Sequence, residues 1–408
     1  MAPHTPPTLG PPRRGRGGPR YAMRILLVTP ALPHRPSASD ATRVFASQLI
    51  DHLSARHAFG VVAATGPADT AACAWLAGHA APVELVPTRH WHRARSSRPA
   101  AGLRALAAAL GRAVAAFQPD VVHLETAVFA PLARVARAPC VLACHDAPRA
   151  DDAVPARGWQ RLRARLARRR EHDWARAWLD AASGCVVESE HDRRAMAAYL
   201  PFERVDVVCS GIDAERYAYR RIGNPGRLVF TGDLGRPDDL AAARRLATSI
   251  LPAIRRQNPR ADLVIASTGA AGPARDLGRL DGVRVEGWLA DVRPTVWNAA
   301  VYVSPVASSV GRTRRLLEAL ALGTPVVASP ASLSRLDAVV PGHHVLSADS
   351  DAEVAEAVSL LMREPVIANT IARNARDLVE RSLTWRAVTQ RYEHVYRRIA
   401  EVRLERAA

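Results

Sequence analysis

From Met23 onward, short apolar runs rich in β-branched residues alternate with longer Ala/Leu/Arg segments of helical period. Runs that are apolar throughout indicate strands buried on both faces, and helices between them indicate parallel order. The first set of strands is predicted at 25–29, 60–64, 83–86, 121–124, 141–144, 185–188 and 205–209. The second set is predicted at 228–231, 263–267, 283–286, 301–304, 326–329 and 345–346.

This alternation predicts two doubly wound α/β domains in tandem, each with a parallel sheet. Turn-forming residues cluster at 209–227, where the helical period lapses. We therefore place an N-terminal domain at 23–208 and a C-terminal domain at 209–383. Residues 1–22 contain Pro, Gly and Arg but no apolar h-region, so we expect a disordered tail and no signal peptide, and Met23 is an alternative start.

The last segment, 384–408, has apolar residues at spacings of three and four, which predicts a helix whose apolar stripe covers another surface. The stripe consists of Trp385, Val388, Tyr392, Val395, Tyr396 and Ile399.

Charge and cysteine content narrow the class of protein. The 408 residues have a formal charge of +17, but every basic residue is arginine and Ala and Pro are abundant, so coding bias explains the charge as well as an anionic partner does. No nucleic-acid-binding motif accompanies the charge, and no apolar run is long enough to span a bilayer. Five cysteines without a CxxC pair indicate buried free thiols in a reducing compartment, so we expect a soluble cytoplasmic protein that does not bind nucleic acid.

The segment "SSVGRTRRLLEALALG" is the main candidate for chemistry. It follows a predicted strand, turns near Gly311 and enters a helix, whose N-terminus favours an anion such as phosphate. Arg312, Arg314 and Arg315 add guanidinium groups in the first turn. Glu318 lies about 9 Å further along the helix axis than Arg312, a separation that suits a ribose diol next to a diphosphate.

A simpler interpretation of the same residues stays open. Arg314 and Glu318 are four residues apart, so they can form an ordinary surface ion pair while Arg312 faces solvent.

Several motifs resemble those of retaining glycosyltransferases of family 4 with the GT-B fold. "LLEALALGTPVVASP" is similar to the family's donor-binding signature, in which two glutamates are separated by seven residues and a Gly-x-Pro-Val-Val turn follows. "MRILLVTPALP", "PDVVHLE", "CSGID" and "EGWLADVRPTVWNAAVYVSP" resemble other family segments, so that the resemblance extends from Met23 to about residue 398. "LVFTGDLGRPDDLAAARRL" and "RTRRLLEALALG" look most like a branch associated with exopolysaccharide synthesis.

The resemblance implies two Rossmann-like domains facing across a cleft and a C-terminal helix, 384–408, that crosses back to the first domain. It also implies sugar transfer from a nucleotide diphosphosugar to an acceptor hydroxyl with retention, and without a metal or other cofactor, because basic side chains and a helix dipole neutralise the leaving diphosphate. Glu318 matches the second glutamate of the signature and would bind the ribose. Arg315, next to Arg314, would serve the diphosphate, and Gly232 and Arg236 match the first loop of the donor domain.

The chain departs from the family pattern at two places. Val310 stands where the family usually has its first glutamate, which holds the sugar; the exopolysaccharide branch often lacks that glutamate too. Ser37, Ala38 and Ser39 occupy a stretch where the family commonly has paired glycines that permit close approach of the backbone to the donor phosphate.

His145 and Asp146 are the candidate catalytic residues. His145 ends a predicted strand and matches a position where the family often has a histidine near the reacting sugar, although a structural histidine bonded to a backbone carbonyl is the alternative. Asp146 resembles an acidic residue of the branch, and a strand-end cap would look the same. His123, inside the strand "VVHL", fits a hydrogen-bonded core histidine better than a base.

The segment 156–176 predicts an Arg-rich helix with Trp159, Leu162, Leu166 and Trp174 interleaved. Such a helix suits contact with anionic lipid at the inner face of the membrane and thus a lipid-linked acceptor, with a polysaccharide acceptor as another option. A solvated helix face is an equally good interpretation.

Two other functions of the protein stay open: a catalytically silent donor-binding partner, and another GT-B enzyme such as a sugar-nucleotide epimerase.

Overall fold

The computed structural model describes residues 23–33, 41–65, 70–87, 101–145, 159–220, 223–267, 272–287, 289, 291–307 and 313–407. The predicted tail 1–22, the stretch 37–39 and Val310 lie outside these residues. The described residues divide into two compact units: those up to Val208 together with those from Thr389 onward, and those from Cys209 to Val388.

The first unit contains a parallel sheet with the described strands in the order β3-β2-β1-β4-β5-β6-β7. These strands are β1 Arg24–Thr29, β2 Ala58–Thr65, β3 Val83–Pro87, β4 Val121–Leu124, β5 Cys140–Cys144, β6 Gly184–Val187 and β7 Val205–Val207. The helices of this part of the chain are α1 Ala41–Leu53, α2 Thr70–Ala77, α3 Ala101–Phe117, α4 Ala133–Ala136, α5 Trp159–Trp178 and α6 Glu190–Met196. Strands β4 and β5 are buried at every position, as expected for a sheet covered on both faces.

The second unit repeats this plan with the order β10-β9-β8-β11-β12-β13, again parallel. Its described strands are β8 Asn224–Gly232, β9 Asp262–Ser267, β10 Val283–Glu286, β11 Ala299–Ser304, β12 Val326–Ala328 and β13 Leu346–Ser347. The helices that follow β8 are α7 Pro237–Arg245, α8 Leu251–Arg255, α9 Arg293–Trp297, α10 Thr313–Leu322, α11 Pro330–Leu333, α12 Asp351–Arg363, α13 Pro365–Leu378 and α14 Trp385–Ala407. Short 3₁₀ segments occupy Ala127–Leu132, Leu179–Ala181, Phe202–Arg204 and Gly272–Arg279, and π-helical turns occupy Leu246–Ile250 and Val379–Leu383.

The prediction of two doubly wound α/β domains is confirmed, and each predicted strand overlaps an observed one. The largest difference at a strand start is in β8, which begins at Asn224 and not at residue 228. Its extra residues include Pro225 and Gly226, which disfavour a strand by propensity. Pairing of Asn224 with Ala299 of β11 extends the strand despite this local preference.

Helix α14 buries its apolar stripe at every predicted position, from Trp385 to Ile399. The division between the compact units falls within this helix, because residues from Thr389 onward group with the first unit. There Tyr392 and Tyr396 pack beside the ring of His123, with ring centroids 5.7 and 5.9 Å away.

The Arg-rich segment forms helix α5. Trp174 is buried, but Leu166 is 49% exposed, so the interleaved apolar residues do not form one continuous buried stripe. Within the described part of the chain, we find no helix with the length and apolar character that a bilayer crossing requires.

The cysteines are free thiols. Cys140, Cys144 and Cys185 are buried, as the apolar runs around them predict, whereas Cys73 and Cys209 are half-buried. The Sγ atoms of Cys144 and Cys185, on neighbouring strands, are 3.3 Å apart.

Candidate functional site

The first group of candidate residues lies on helix α10. Its apolar face, Leu316, Leu317 and Leu320, is buried in the core of the second unit. Gly323 follows the helix with a φ of +80°, a left-handed conformation that lets the chain turn directly into β12. The candidates Gly311 and Arg312 immediately precede the helix and lie outside the described residues.

Glu318 presents a nearly buried carboxylate, with 11% of its side chain exposed. Its Oε1 accepts hydrogen bonds from the Arg314 Nε at 3.0 Å and from the Tyr217 hydroxyl at 2.8 Å. The Arg314–Glu318 ion pair that the spacing allows is therefore present, but the carboxylate is withdrawn from water and is not part of a solvated surface pair. Burial and the negative Glu318 raise the pKa of Tyr217 to about 12, so its hydroxyl stays a donor at physiological pH.

The segment that carries Tyr217 is anchored to α10 by the guanidinium of Arg376. Arg376 donates to the carbonyl of Tyr217 at 2.6 Å and to the carbonyl of Ala321 at 2.8 Å. It also donates to the carbonyl of Ala214 at 3.1 Å. Because one planar side chain bonds both segments, the hydroxyl of Tyr217 is held in place opposite Glu318.

Arg315 points to a different partner, Asp239. The Arg315 Nη1 is 3.0 Å from the Asp239 Oδ2, and the two side chains are 17% and 1% exposed. The same Oδ2 accepts from the backbone N–H of Asp233 at 2.9 Å, in the turn that follows Gly232, the last residue of β8, and that includes Arg236. The structure thus brings the turn after β8 and the first turn of α10 together through one buried carboxylate.

Gly232 ends β8, and Arg236 ends the turn and precedes α7. A Cβ on Gly232 would lie 2.8 Å from the Phe230 ring and 3.2 Å from the Asp239 Cβ, so no larger residue fits there without displacement. Arg236 is half-buried, donates its backbone N–H to the carbonyl of Asp233, and is followed by Pro237 at the start of α7. Asp239 itself was not predicted from the sequence, although an acidic residue in the first turn of a helix is a signal for such a role.

The second group lies in the first unit, just after the carboxyl ends of the adjacent strands β4, β5 and β6. His145 follows β5; its Nε2 is 2.9 Å from Glu125 Oε1, and its Nδ1 is 3.3 Å from Glu188 Oε1. The second oxygen of Glu125 is 2.6 Å from Nε2 of His123, whose Nδ1 is 2.8 Å from the hydroxyl of Tyr396. Asp146, the other catalytic candidate, lies outside the described residues.

These contacts shift the pKa values of His145 and Glu125 in opposite directions. Burial by itself lowers the pKa of His145, but the hydrogen bonds and negative charges of Glu125 and Glu188 outweigh burial and hold it well above its ordinary value. Burial by itself raises the pKa of the Glu125 carboxyl, but hydrogen bonds from His123 and His145 outweigh burial and lower it. The side chain of His145 contacts the carboxylates of Glu125 and Glu188 and remains 28% exposed.

Sequence reasoning missed Glu125. It ends the quoted segment "PDVVHLE", two residues after His123, and therefore on the same side of the extended chain. A carboxylate directly after a buried strand, next to a histidine in that strand, was the available signal.

Comparisons with known proteins agree with this architecture. Residues 42–216 match the family model Glycosyltransferase Family 4, and residues 225–364 match the family model Glycosyl transferases group 1. The chain matches no curated protein.

Solved structures with the same fold cover almost the whole chain at low identity. HepE from Anabaena in complex with UDP-glucose is 18% identical with a TM-score of 0.62, over 94% of this chain and 100% of that one. Sucrose-phosphate synthase from Thermosynechococcus elongatus is 16% identical with a TM-score of 0.65, over 93% and 100%. A glycosyltransferase from Rickettsia africae is 10% identical with a TM-score of 0.64, over 92% and 98%.

These structures share the GT-B fold with the chain, whose two α/β units each fall largely within one matched family segment. The protein is a glycosyltransferase of the GT-B type.

Proposed function

We propose that the protein is a retaining glycosyltransferase that moves a sugar from a nucleotide diphosphosugar to an acceptor hydroxyl, in exopolysaccharide or cell-envelope glycan synthesis. The observation that carries the donor site is the nearly buried carboxylate of Glu318, on the same helix as Arg314 and Arg315. Complexes of Anabaena HepE with UDP and with UDP-glucose support a donor of this chemical class.

In this proposal the donor diphosphate lies at the start of α10, next to Gly311, Arg312 and Arg315, and the ribose lies next to Glu318. Tyr217 and Arg314 both donate to Oε1 of Glu318, so we assign Oε2 to the ribose hydroxyls. Free N–H groups at a helix start and guanidinium groups stabilise the charge that develops on the leaving diphosphate, which is why no metal is required.

We assign His145 and Asp146 to contacts with the transferred sugar. His145 keeps part of its ring exposed at the carboxyl ends of parallel strands, which is where ligands bind in open α/β sheets. Its raised pKa makes it a cation that can stabilise negative charge or donate to a hydroxyl.

We propose that the acceptor is lipid-linked or a polysaccharide and that helix α5 contacts anionic lipid at the cytoplasmic face of the membrane. Support comes from the exposed arginines along this helix and from the exposed Leu166. The exposed arginines are Arg163, Arg165, Arg169, Arg170 and Arg176.

Donor binding is tested with the purified full chain by thermal unfolding in the presence of UDP, GDP or ADP. A nucleotide that binds only the native state at a hundred times its dissociation constant adds about 2.7 kcal/mol to the free energy of unfolding. Glu318→Gln should weaken that nucleotide about tenfold or more, because a charged acceptor of two ribose hydroxyls becomes neutral. Glu356→Gln, an exposed glutamate on α12, is the matched control and should leave binding unchanged.

Transfer is tested with nucleotide sugars and membrane extract as the source of acceptor. NMR of the anomeric proton in the product reports retention or inversion, and EDTA tests metal independence. Nucleotide binding without transfer by the wild type would favour the silent-partner alternative, and epimerisation of the sugar nucleotide without transfer would favour the epimerase.

A further inference from the structure

A continuous chain of polar side chains crosses the interior of the first unit. It runs from Glu188 through His145, Glu125 and His123 to Tyr396, with successive polar atoms 3.3, 2.9, 2.6 and 2.8 Å apart. Glu125, His123 and Tyr396 are at most 1% exposed. A polar chain this deep is costly unless its members satisfy one another.

We assign the hydrogen-bond directions along this chain from its Tyr396 end. Burial raises the pKa of Tyr396 well above its ordinary value, so its hydroxyl keeps its proton and can donate to Nδ1 of His123. Nε2 of His123 then carries a hydrogen and donates to Oε2 of Glu125. The hydrogen bond from His123 thus fixes the orientation of the Glu125 carboxylate, whose other oxygen, Oε1, contacts His145.

We propose that Glu125 is a positioning residue that fixes the His145 ring and keeps both ring nitrogens protonated, so that His145 acts on the sugar as a cationic hydrogen-bond donor and not as a general base. The assignment of a sugar to His145 rests on the proposed function. The positioning itself rests on the contacts within the first unit.

The geometry assigns different tasks to the two carboxylates. The bond to Glu125 is the shorter one, and the Glu125 side chain is fully buried, whereas Glu188 is 12% exposed and its bond to His145 is 3.3 Å long. A hydrogen bond of that length is weak and is exchanged at low cost. A hydroxyl of the substrate therefore replaces Glu188 at Nδ1, while Glu125 keeps its bond at Nε2.

The neighbours of His145 on the sheet, α1 and α14 are consistent with this assignment. From the sheet, His145 meets Glu125 and Glu188; from α1 it meets the uncharged ring of Phe45, with centroids 5.1 Å apart. From α14, Tyr392 packs against Phe45, and burial raises the pKa of Tyr392, which keeps its hydroxyl neutral.

The test uses the full chain labelled with ¹⁵N-histidine, since ring ¹⁵N shifts distinguish a doubly protonated imidazole from either neutral tautomer. His145 is assigned by the loss of its signals in His145→Gln. In the wild type we expect both nitrogens of His145 to remain protonated at about pH 8, where an unperturbed histidine is neutral. Loss of the proton in the ordinary histidine range overturns the proposal, whether or not the enzyme is active.

Two substitutions distinguish the effects of Glu125 and Glu188 on the protonation of His145. Glu125→Gln should weaken proton binding by His145 at least tenfold, and Glu188→Gln should weaken it less. Tyr396→Phe is a milder variant, to be used if Glu125→Gln does not fold: it removes the hydroxyl that fixes His123, so the His145 signals should broaden or shift. The proposal is wrong if Glu125→Gln folds and His145 titrates as in the wild type, or if Glu188→Gln has the larger effect.

The pH dependence of transfer activity is a second measurement, and it would not change if Glu125 had only a structural role. Transfer by the wild type should decline as the pH rises through the titration of His145, and in Glu125→Gln this decline should move to lower pH by the shift seen in the NMR titration. A variant with less stability but an unshifted pH profile contradicts the positioning role. If no transfer is detected, the proposed function fails, but the NMR titration still decides whether Glu125 holds the charge on His145.

Discussion

Buried carboxylates with cationic or histidine partners are the main polar feature at the scale of single residues. Glu318 pairs with Arg314, Asp239 with Arg315, and Glu125 with His145. Breaking such a pair is far more costly than breaking one at the surface, because the remaining charge has little water to solvate it. Removing one partner of such a pair should therefore destabilise the native state.

Tyr217→Phe tests the hydroxyl that contacts Glu318. The ring remains, but a buried hydrogen bond to a charged acceptor is lost, so the free energy of unfolding should fall by about 1–2 kcal/mol. Tyr219→Phe in the same segment is the control, because Tyr219 is 38% exposed and the change should cost less than about 0.5 kcal/mol. Urea unfolding measures both; equal losses would mean that the Tyr217 hydroxyl does not stabilise the fold.

Asp239→Asn tests the ion pair between α7 and α10, Asp239–Arg315. The substitution keeps the shape of the side chain but removes the charge opposite Arg315, so we expect a loss of about 3 kcal/mol in the free energy of unfolding. Asp281→Asn removes the charge from another ion pair, Arg255–Asp281 at 2.8 Å, in which the aspartate side chain is 90% exposed. That control should cost about 0–1 kcal/mol. Similar losses in the two variants would contradict the assigned role of burial.

At the scale of secondary-structure elements, the ends of strands and helices position the candidate side chains. Glu125, His145 and Glu188 each follow directly after a strand of one parallel sheet, and those strands are neighbours. Helix α10 begins near the predicted diphosphate position and ends at Gly323, whose left-handed backbone directs the chain into β12. The site therefore depends on where each element ends.

Gly323→Ala tests the end of α10. Both Gly323 and Gly342 have a φ of +80°, so alanine at either position costs about 1 kcal/mol of backbone strain. At Gly323 the new Cβ would also lie 2.3 Å from the ring of Tyr219, whereas at Gly342 no heavy atom lies within 4 Å. Gly323→Ala should therefore lose more stability than Gly342→Ala in thermal or urea unfolding, and the reverse order would contradict this account of the helix end.

At the scale of the whole molecule, the Glu125–His145 pair makes stability depend on pH. The pKa of Glu125 in the folded state lies below its ordinary value of 4.5, so its contribution is complete above that value and is lost as the pH falls through the lowered pKa. The pKa of folded His145 lies above its ordinary value of 6.5, so its contribution is complete below that value and is lost as the pH rises through the raised pKa. Both contributions are complete between 4.5 and 6.5.

The pH dependence is measured by urea unfolding of the wild type and His145→Gln at several pH values. The stability advantage of the wild type should be largest near about pH 6 and should shrink toward about pH 9, because the imidazolium loses its proton. An advantage that stays constant over this range would show that His145 does not titrate in the folded protein as its contacts indicate.

The amino-acid sequence by itself determined the elements and their order. Apolar runs such as "VVHL" and "CVLAC" predicted buried parallel strands, because burial on both faces excludes polar residues at nearly every position. The apolar stripe of the last helix likewise predicted the face that is buried. Strand ends were less accurate, since the pairing of Asn224 with Ala299 extends β8 through residues of low strand propensity.

Only the tertiary structure decided which polar side chains meet. Asp239 and Arg315 are 76 residues apart in the chain, and Tyr217 and Glu318 are 101 apart. Tyr396 and His123 are 273 apart, and their contact ends the polar chain that begins at Glu188. Local periodicity contains no information on such pairs, because they form only when strand order and helix packing bring distant segments within hydrogen-bond distance.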